Sequence, residues 1–160
     1  MTYDGSLVVD ASVAVKWLVR EHGSTAAHAL RTARLHAPTL LRVEVGNALR
    51  TLARRGDLSE DDARAAFDHL LAAPVHLHDP SPALLAGALD LALRLDHPIY
   101  DCLYLALAIE IGAPLVTADG RFHRAAAGRA EFGGPSGIVR TLGTSRAGTR
   151  RTTRAGRFAA

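Results

Sequence analysis

Cysteine, lysine, methionine and tryptophan each occur once in 160 residues, and the scarcities narrow the field. With Cys102 alone, no internal disulfide forms, and no zinc knuckle or ribbon can be built on several thiolates. A reducing compartment, the cytoplasm, is expected. Long apolar runs are missing too. The longest, Cys102 to Ile109, is far short of the ~20 residues that span a bilayer, and the acids Asp4 and Asp10 near the start have no basic flank, so no membrane span is expected. No Gly-x-Gly-x-x-Gly, P-loop or Gly-x-Ser-x-Gly occurs, which removes the usual dinucleotide, nucleoside triphosphate and acyl-hydrolase signatures.

Acid is absent from one end. Residues 140–160 hold six arginines (140, 146, 150, 151, 154 and 157) and no Asp or Glu, so residues 1–139 carry thirteen basic against sixteen acidic side chains. The basic pI near 9.6 therefore belongs to the tail and does not make the remainder a nucleic-acid binder. The expected organisation is one domain over residues 1–142 and an Arg-rich, disordered tail over 143–160.

Within the domain, short apolar runs alternate with helical stretches. Leu7-Val8-Val9 reads as a buried strand, and Ser12 opens a helix to Val19. Helical composition runs from Ser24 to Arg34, followed by an extended link from Leu35 to Pro38. Thr39–Arg55 sets an apolar stripe before Gly56, and Ser59 with Asp61 and Asp62 caps a helix to about Ala72. Val75–His78 alternates as a strand, Pro82 sits in the first turn of a helix to Arg94, and a central apolar helix spans about Tyr100 to Ile111. Leu115–Thr117 is a strand, a short helix runs from Asp119 to about Ala127, and Gly137–Leu142 is the last strand. Such alternation predicts an α/β fold with a mostly parallel sheet covered on both faces, where ligands bind beyond the carboxyl ends of the strands.

Four carboxylates stand where apolar surroundings make them expensive: Asp10, Glu44, Asp101 and Asp119. Asp10, Asp101 and Asp119 sit at helix starts, where a carboxylate can simply cap free N–H groups. Glu44 lies mid-helix on the apolar stripe and needs a partner: an arginine or a metal. Four like charges at one sheet edge repel unless a cation sits among them. Oxygen donors without imidazole or thiolate favour Mg²⁺ or Mn²⁺, ions matched to phosphodiester hydrolysis.

The segments around these acids resemble the ordered motifs of the PIN-domain family, most closely the VapC toxins. They are Val8-Val-Asp10-Ala-Ser12-Val-Ala-Val-Lys-Trp17-Leu, Val43-Glu44-Val-Gly-Asn47-Ala-Leu, Tyr100-Asp101-Cys-Leu-Tyr104-Leu-Ala-Leu-Ala and Val116-Thr117-Ala-Asp119, and the resemblance covers about residues 6–142. It implies an α/β/α sandwich that cleaves RNA with Mg²⁺ or Mn²⁺ held by Asp10, Glu44, Asp101 and Asp119. It also implies supporting roles for Ser12 and Thr117 beside the metal and for Asn47 near Glu44. The partners implied are a structured cellular RNA such as tRNA or rRNA, a VapB-type antitoxin laid across the groove, and a second copy in a homodimer. Two features depart from the family pattern: Gly120 after Asp119, where Arg or Lys is commoner, and the Arg-rich extension.

Two other readings compete. One is a non-catalytic scaffold of the same fold that binds RNA or protein, its carboxylates serving as caps and ion pairs. The other is a metal-independent ribonuclease using His69, because Arg64-Ala-Ala-Phe-Asp-His69 resembles the Arg-x₄-His motif of HEPN-type enzymes. Eighteen arginines and eight histidines in 160 residues supply about one such pair by chance. His76 and His78 share one strand face and could offer two zinc ligands or a plain exposed surface.

Overall fold

Leu7, Val8 and Val9 of the first strand are all buried, as in a strand covered on both faces. The computed structural model of the chain describes residues 5–132 and 137–143. The elements run β1 (Ser6–Val9), α1 (Ala11–Leu18), α2 (Ser24–Ala29), a 3₁₀ turn at Leu30–Thr32, β2 (Arg34–Pro38), α3 (Leu40–Arg55) and α4 (Glu60–Leu71). They continue with β3 (Val75–His78), α5 (Pro82–Leu95), α6 (Ile99–Ile111), β4 (Leu115–Thr117), α7 (Gly120–Ala127) and β5 (Val139–Thr141).

The five strands form one sheet in the order β3-β2-β1-β4-β5, with every pair parallel. From β1 the chain builds outward through β2 and β3, then returns to the other side of β1 for β4 and β5. The order thus reverses between β1 and β4, where connections diverge to opposite sides and leave a crevice at the carboxyl ends. Val9 pairs with Val116 across this junction, so Asp10 and the residues after Thr117 emerge side by side.

Helix α6 lies against β1, β2 and β4 with α5 packed on it, while α1 gathers α2, α3 and α4 into a second group. Helices on both sides of the sheet give the expected α/β/α layers. Seven consecutive residues of α6, Cys102–Ala108, are buried, as its nearly all-apolar sequence requires.

Three local expectations are revised. The extended link expected over Leu35–Pro38 is part of β2, a strand hydrogen-bonded between β1 and β3. It lacks β-branched residues and ends in proline, so its flanking strands rather than its propensity make it a strand. The helix expected to reach Arg34 stops at Ala29 and tightens into the 3₁₀ turn, because the chain must be extended by Arg34 to pair with Ser6. Finally, α1 begins one residue earlier than expected, capped by Asp10, whose side chain accepts from the Val13 N–H at 3.2 Å. The tail residues 144–160 lie outside the described residues, so the expectation of disorder there stands as sequence reasoning.

Candidate active site

Each of the four carboxylates is delivered by a different element to the crevice between β1 and β4. Asp10, the residue after β1, is 4% exposed. Its Oδ1 accepts from Ser12 Oγ at 2.5 Å as well as from the Val13 N–H. The Ser12 hydroxyl in turn accepts the Ala118 N–H at 2.8 Å and lies 3.5 Å from Thr117 Oγ1. Thr117, fully buried at the end of β4, accepts the Asp119 N–H at 2.9 Å. Asp119 caps α7 by accepting the Arg121 and Phe122 N–H groups at 2.7 and 3.3 Å. Two hydroxyls therefore tie the two carboxylate-bearing strand ends together.

Helix α3 buries Leu41, Val45 and Leu49, and Glu44 stands at the margin of that stripe. Its partner is Tyr104 of α6, whose Oη donates to Glu44 Oε2 at 2.5 Å. A neutral hydroxyl thus fills the place where an ion-pair reading needs an arginine. Asp101 lies in the first turn of α6, but its hydrogen bond is with His97, at 2.8 Å between Oδ2 and Nε2. So the helix-cap reading holds for Asp10 and Asp119, whereas Asp101 and Glu44 make other bonds.

The charges reinforce one another. Burial pushes the Asp10 carboxyl up to about 6, opposed by its bonds to Ser12, Thr117 and Val13 and assisted by the charge of Asp101. Glu44 is raised by burial and by Asp101 and Asp10, although the Tyr104 hydrogen bond opposes this. Asp101 is raised by burial and by Asp119, against the lowering effects of His97 and Arg121. Asp101 therefore feels or is felt by each of the other three acids. The Tyr104 hydroxyl, buried beside Glu44, is held protonated by an upward shift. Burial leads in all three, and the mutual repulsion of the acids adds to it.

Among the described residues, the metal-ligating side chains that gather as a group of three are His97, Asp101 and Asp119, with donor atoms all within 4.8 Å of one another. Asp10 and Glu44 flank this set and couple to it through Asp101. Sequence reasoning missed His97 and gave Tyr104 no separate role. A signal for His97 exists: it stands one helical turn before Asp101, immediately ahead of the Pro98 that starts α6. Tyr104 has a weaker one, as the hydroxyl set inside the apolar run of α6, three residues after Asp101.

The remaining candidates lie elsewhere. Asn47 is exposed on α3, and its backbone carbonyl accepts from Thr51 Oγ1 at 2.9 Å. Arg64 and His69 are both exposed on α4, where Arg64 pairs with Glu60 and Asp61. His76 and His78 do share a face of β3; His78 Nε2 lies 3.0 Å from His36 Nδ1, and His76 stacks on His36. Cys102 is fully buried and its thiol is pushed up to about 11, mainly by burial, so it is an inert packing residue. After Gly120, the next residue, Arg121, supplies positive charge felt at Asp101.

Comparison with known proteins places these residues in a family. The PIN domain family matches residues 7–128 of this chain, which therefore belongs to the PIN-domain family. Ribonuclease VapC1 of Mycobacterium tuberculosis (strain ATCC 25618 / H37Rv) is 37% identical over 120 residues, covering 74% of this chain and 89% of the relative. Among solved structures, PAE2754 from Pyrobaculum aerophilum is 26% identical, with a TM-score of 0.60 over 75% of this chain and 78% of that one. The M. tuberculosis toxin VapC20, described as cleaving the sarcin-ricin loop, shares the fold at a TM-score of 0.59 and 20% identity, over 74% of this chain and 94% of that one. VapBC2 from Rickettsia felis, solved with a DNA fragment from its promoter, shares it at 0.57 and 14% identity, over 85% of this chain and 98% of that one.

Proposed function

We propose that this chain is a divalent-metal-dependent endoribonuclease acting as the toxin of a toxin–antitoxin pair. The metal ligands in this reading are Asp10, Glu44, Asp101 and Asp119. The observation that carries it is the convergence on Asp101 of acids from four elements, none of them hydrogen-bonded to an arginine or lysine side chain among the described residues. The donor set is rich in carboxylate oxygen, which fits Mg²⁺ or Mn²⁺. A bound cation would neutralise charge at the scissile phosphate and activate water for in-line attack, leaving a 5′-phosphate and a 3′-hydroxyl.

The chain's own groups set the frame for that reaction. Ser12 holds Asp10 through its hydroxyl and is itself anchored to the Ala118 backbone. Thr117 fixes the backbone of Asp119, and the α7 N–H groups orient its carboxylate. Tyr104 keeps its proton and holds one oxygen of Glu44. Such preorganisation places charge before substrate arrives rather than at the moment of reaction.

Partners follow from the relatives. The VapC name of the curated relatives and the VapBC assembly among the structural neighbours support a VapB-type antitoxin whose arginine would meet the acidic crevice. The ribonuclease name of the curated relatives supports an RNA substrate, which in this reading is a structured RNA such as tRNA or rRNA met in the cytoplasm. Leu85, Leu89 and Leu93, exposed at successive turns of α5, support a homodimer contact. No helix among the described residues is long and apolar enough to cross a membrane.

The deciding assay is cleavage of total cellular RNA by antitoxin-free protein in EDTA, Mg²⁺ or Mn²⁺, with end-group analysis of products. Metal-dependent cleavage with 5′-phosphate ends is expected. Cleavage that persists in EDTA with cyclic-phosphate ends would overturn the metal reading in favour of His69, and inertness toward every RNA would favour the scaffold.

A further inference from the structure

An imidazole stands beside the carboxylates expected from the sequence, gathered with Asp101 and Asp119. His97 is held on every side. Asp96, at φ 49°, closes α5 in the left-handed region, the His97 N–H then returns to the Ala92 carbonyl at 3.1 Å, and Pro98 starts α6 immediately after. The ring packs on Phe122 of α7 with centroids 4.9 Å apart. The side chain is 8% exposed, and its Nε2 faces Asp101 Oδ2 at 2.8 Å. Phe122 belongs to the same turn that Asp119 caps, so one aromatic contact brings His97 toward both carboxylates.

We infer that His97 is a direct ligand of the divalent cation, together with Asp101 and Asp119, and that it makes the site prefer Mn²⁺ to Mg²⁺. This rests on the metal-dependent reading above. Two neighbouring ligands of a six-coordinate ion at ~2.1 Å stand about 3 Å apart. The Nε2 to Oδ2 separation of 2.8 Å matches that edge, and the donor atoms of all three residues lie within 4.8 Å of one another. A cation entering there takes the place of the hydrogen that the two atoms now share, and the imidazole hydrogen moves to Nδ1. Mg²⁺ is satisfied by oxygen and gains little from a nitrogen ligand, whereas Mn²⁺ and the later first-row ions accept imidazole readily. The largely buried ring also has little freedom left to lose on ligation, which sets it apart from an exposed histidine recruited by chance.

The rival role is positioning: His97 could do no more than donate its N–H to Asp101. Mn²⁺ and Mg²⁺ titrations by calorimetry, with electron spin-echo envelope modulation of the Mn²⁺ complex, separate the two on full-length protein freed of antitoxin. His97→Gln keeps an N–H donor near Asp101 and removes the imidazole. The wild-type Mn²⁺ spectrum should show modulation from a coordinated ¹⁴N that is lost in His97→Gln, and the ratio of Mn²⁺ to Mg²⁺ affinity should fall roughly tenfold. Labelling with ¹⁵N-histidine changes the wild-type modulation and needs no variant, so a misfolded His97→Gln does not block the test. Absence of nitrogen modulation in a wild-type complex that binds Mn²⁺ would overturn the inference and leave the carboxylate site standing. Failure of the wild type to bind either ion would overturn the metal site itself, and the inference with it.

Discussion

Ser12 and Ala118, 106 positions apart in sequence, are joined at 2.8 Å by the Ala118 N–H donating to the Ser12 hydroxyl. That hydroxyl's own proton goes to Asp10 at 2.5 Å. One atom therefore sets the spacing of the β1 and β4 ends and the orientation of the most buried acid. Ser12→Ala leaves the Ala118 N–H without its acceptor and Asp10 Oδ1 with the Val13 N–H but no hydroxyl donor, which should destabilise the protein by about 1–3 kcal/mol. Ser12→Thr, retaining the hydroxyl, should recover most of it. Denaturant melts in EDTA provide the check, and an unchanged midpoint in Ser12→Ala would contradict the clamp.

Asp10 makes the metal-free protein sensitive to pH. Its folded value of about 6 lies above the ordinary 3.8, so the native state holds an extra proton between the two. The associated stability is full below about pH 4 and is lost as pH rises through about 6, on the order of 3 kcal/mol in all. Burial raises Glu44 and Asp101 in the same direction. Asp10→Asn should flatten the profile and stabilise the metal-free protein at neutral pH. Melting temperatures across pH 4 to 8 in EDTA test this, and a wild type more stable at pH 8 than at pH 5 would refute it.

Tyr104→Phe removes the donor that holds Glu44 while keeping the buried ring. Leaving that carboxylate without its 2.5 Å bond should lower Mn²⁺ affinity roughly tenfold, as loss of an orienting partner commonly does. Packing should change little. Calorimetric titration of Mn²⁺ reads the first effect and circular dichroism the second. An affinity equal to wild type would show that Glu44 needs no orientation or binds no cation.

If a second copy covers the leucine face of α5, replacing Leu89 and Leu93 by Glu should give a monomer without touching the four acids. The two are 49% and 74% exposed, so the substitutions disturb the core little. Light scattering coupled to gel filtration decides it; a monomeric wild type, or a dimer that survives the double substitution, argues against this face.

Deleting residues 144–160 should leave metal-dependent cleavage intact, because every candidate ligand and every described element precedes them. Should the five arginines removed touch RNA, binding would also lose salt dependence, by a slope of about 0.7 for each phosphate released. A truncated chain that cannot fold would place those residues in the domain.

The sequence by itself determined the alternation of strands and helices and the order of the acidic motifs. Leu7-Val8-Val9 and the apolar run from Cys102 carry their burial in local composition, and Gly56, Ser59 and Pro82 mark helix ends through backbone chemistry that acts within a few residues. What it left open depended on distant neighbours. Arg34–Pro38 is a strand because β1 and β3 flank it, and no property of those five residues alone requires this. Glu44 is held by Tyr104 rather than an arginine, and Asp101 by His97, through contacts that depend on how α3, α6 and α7 pack. Periodicity can put a carboxylate on a face, but donor distances across a crevice are set by tertiary packing, and these decide which side chains can share one ion.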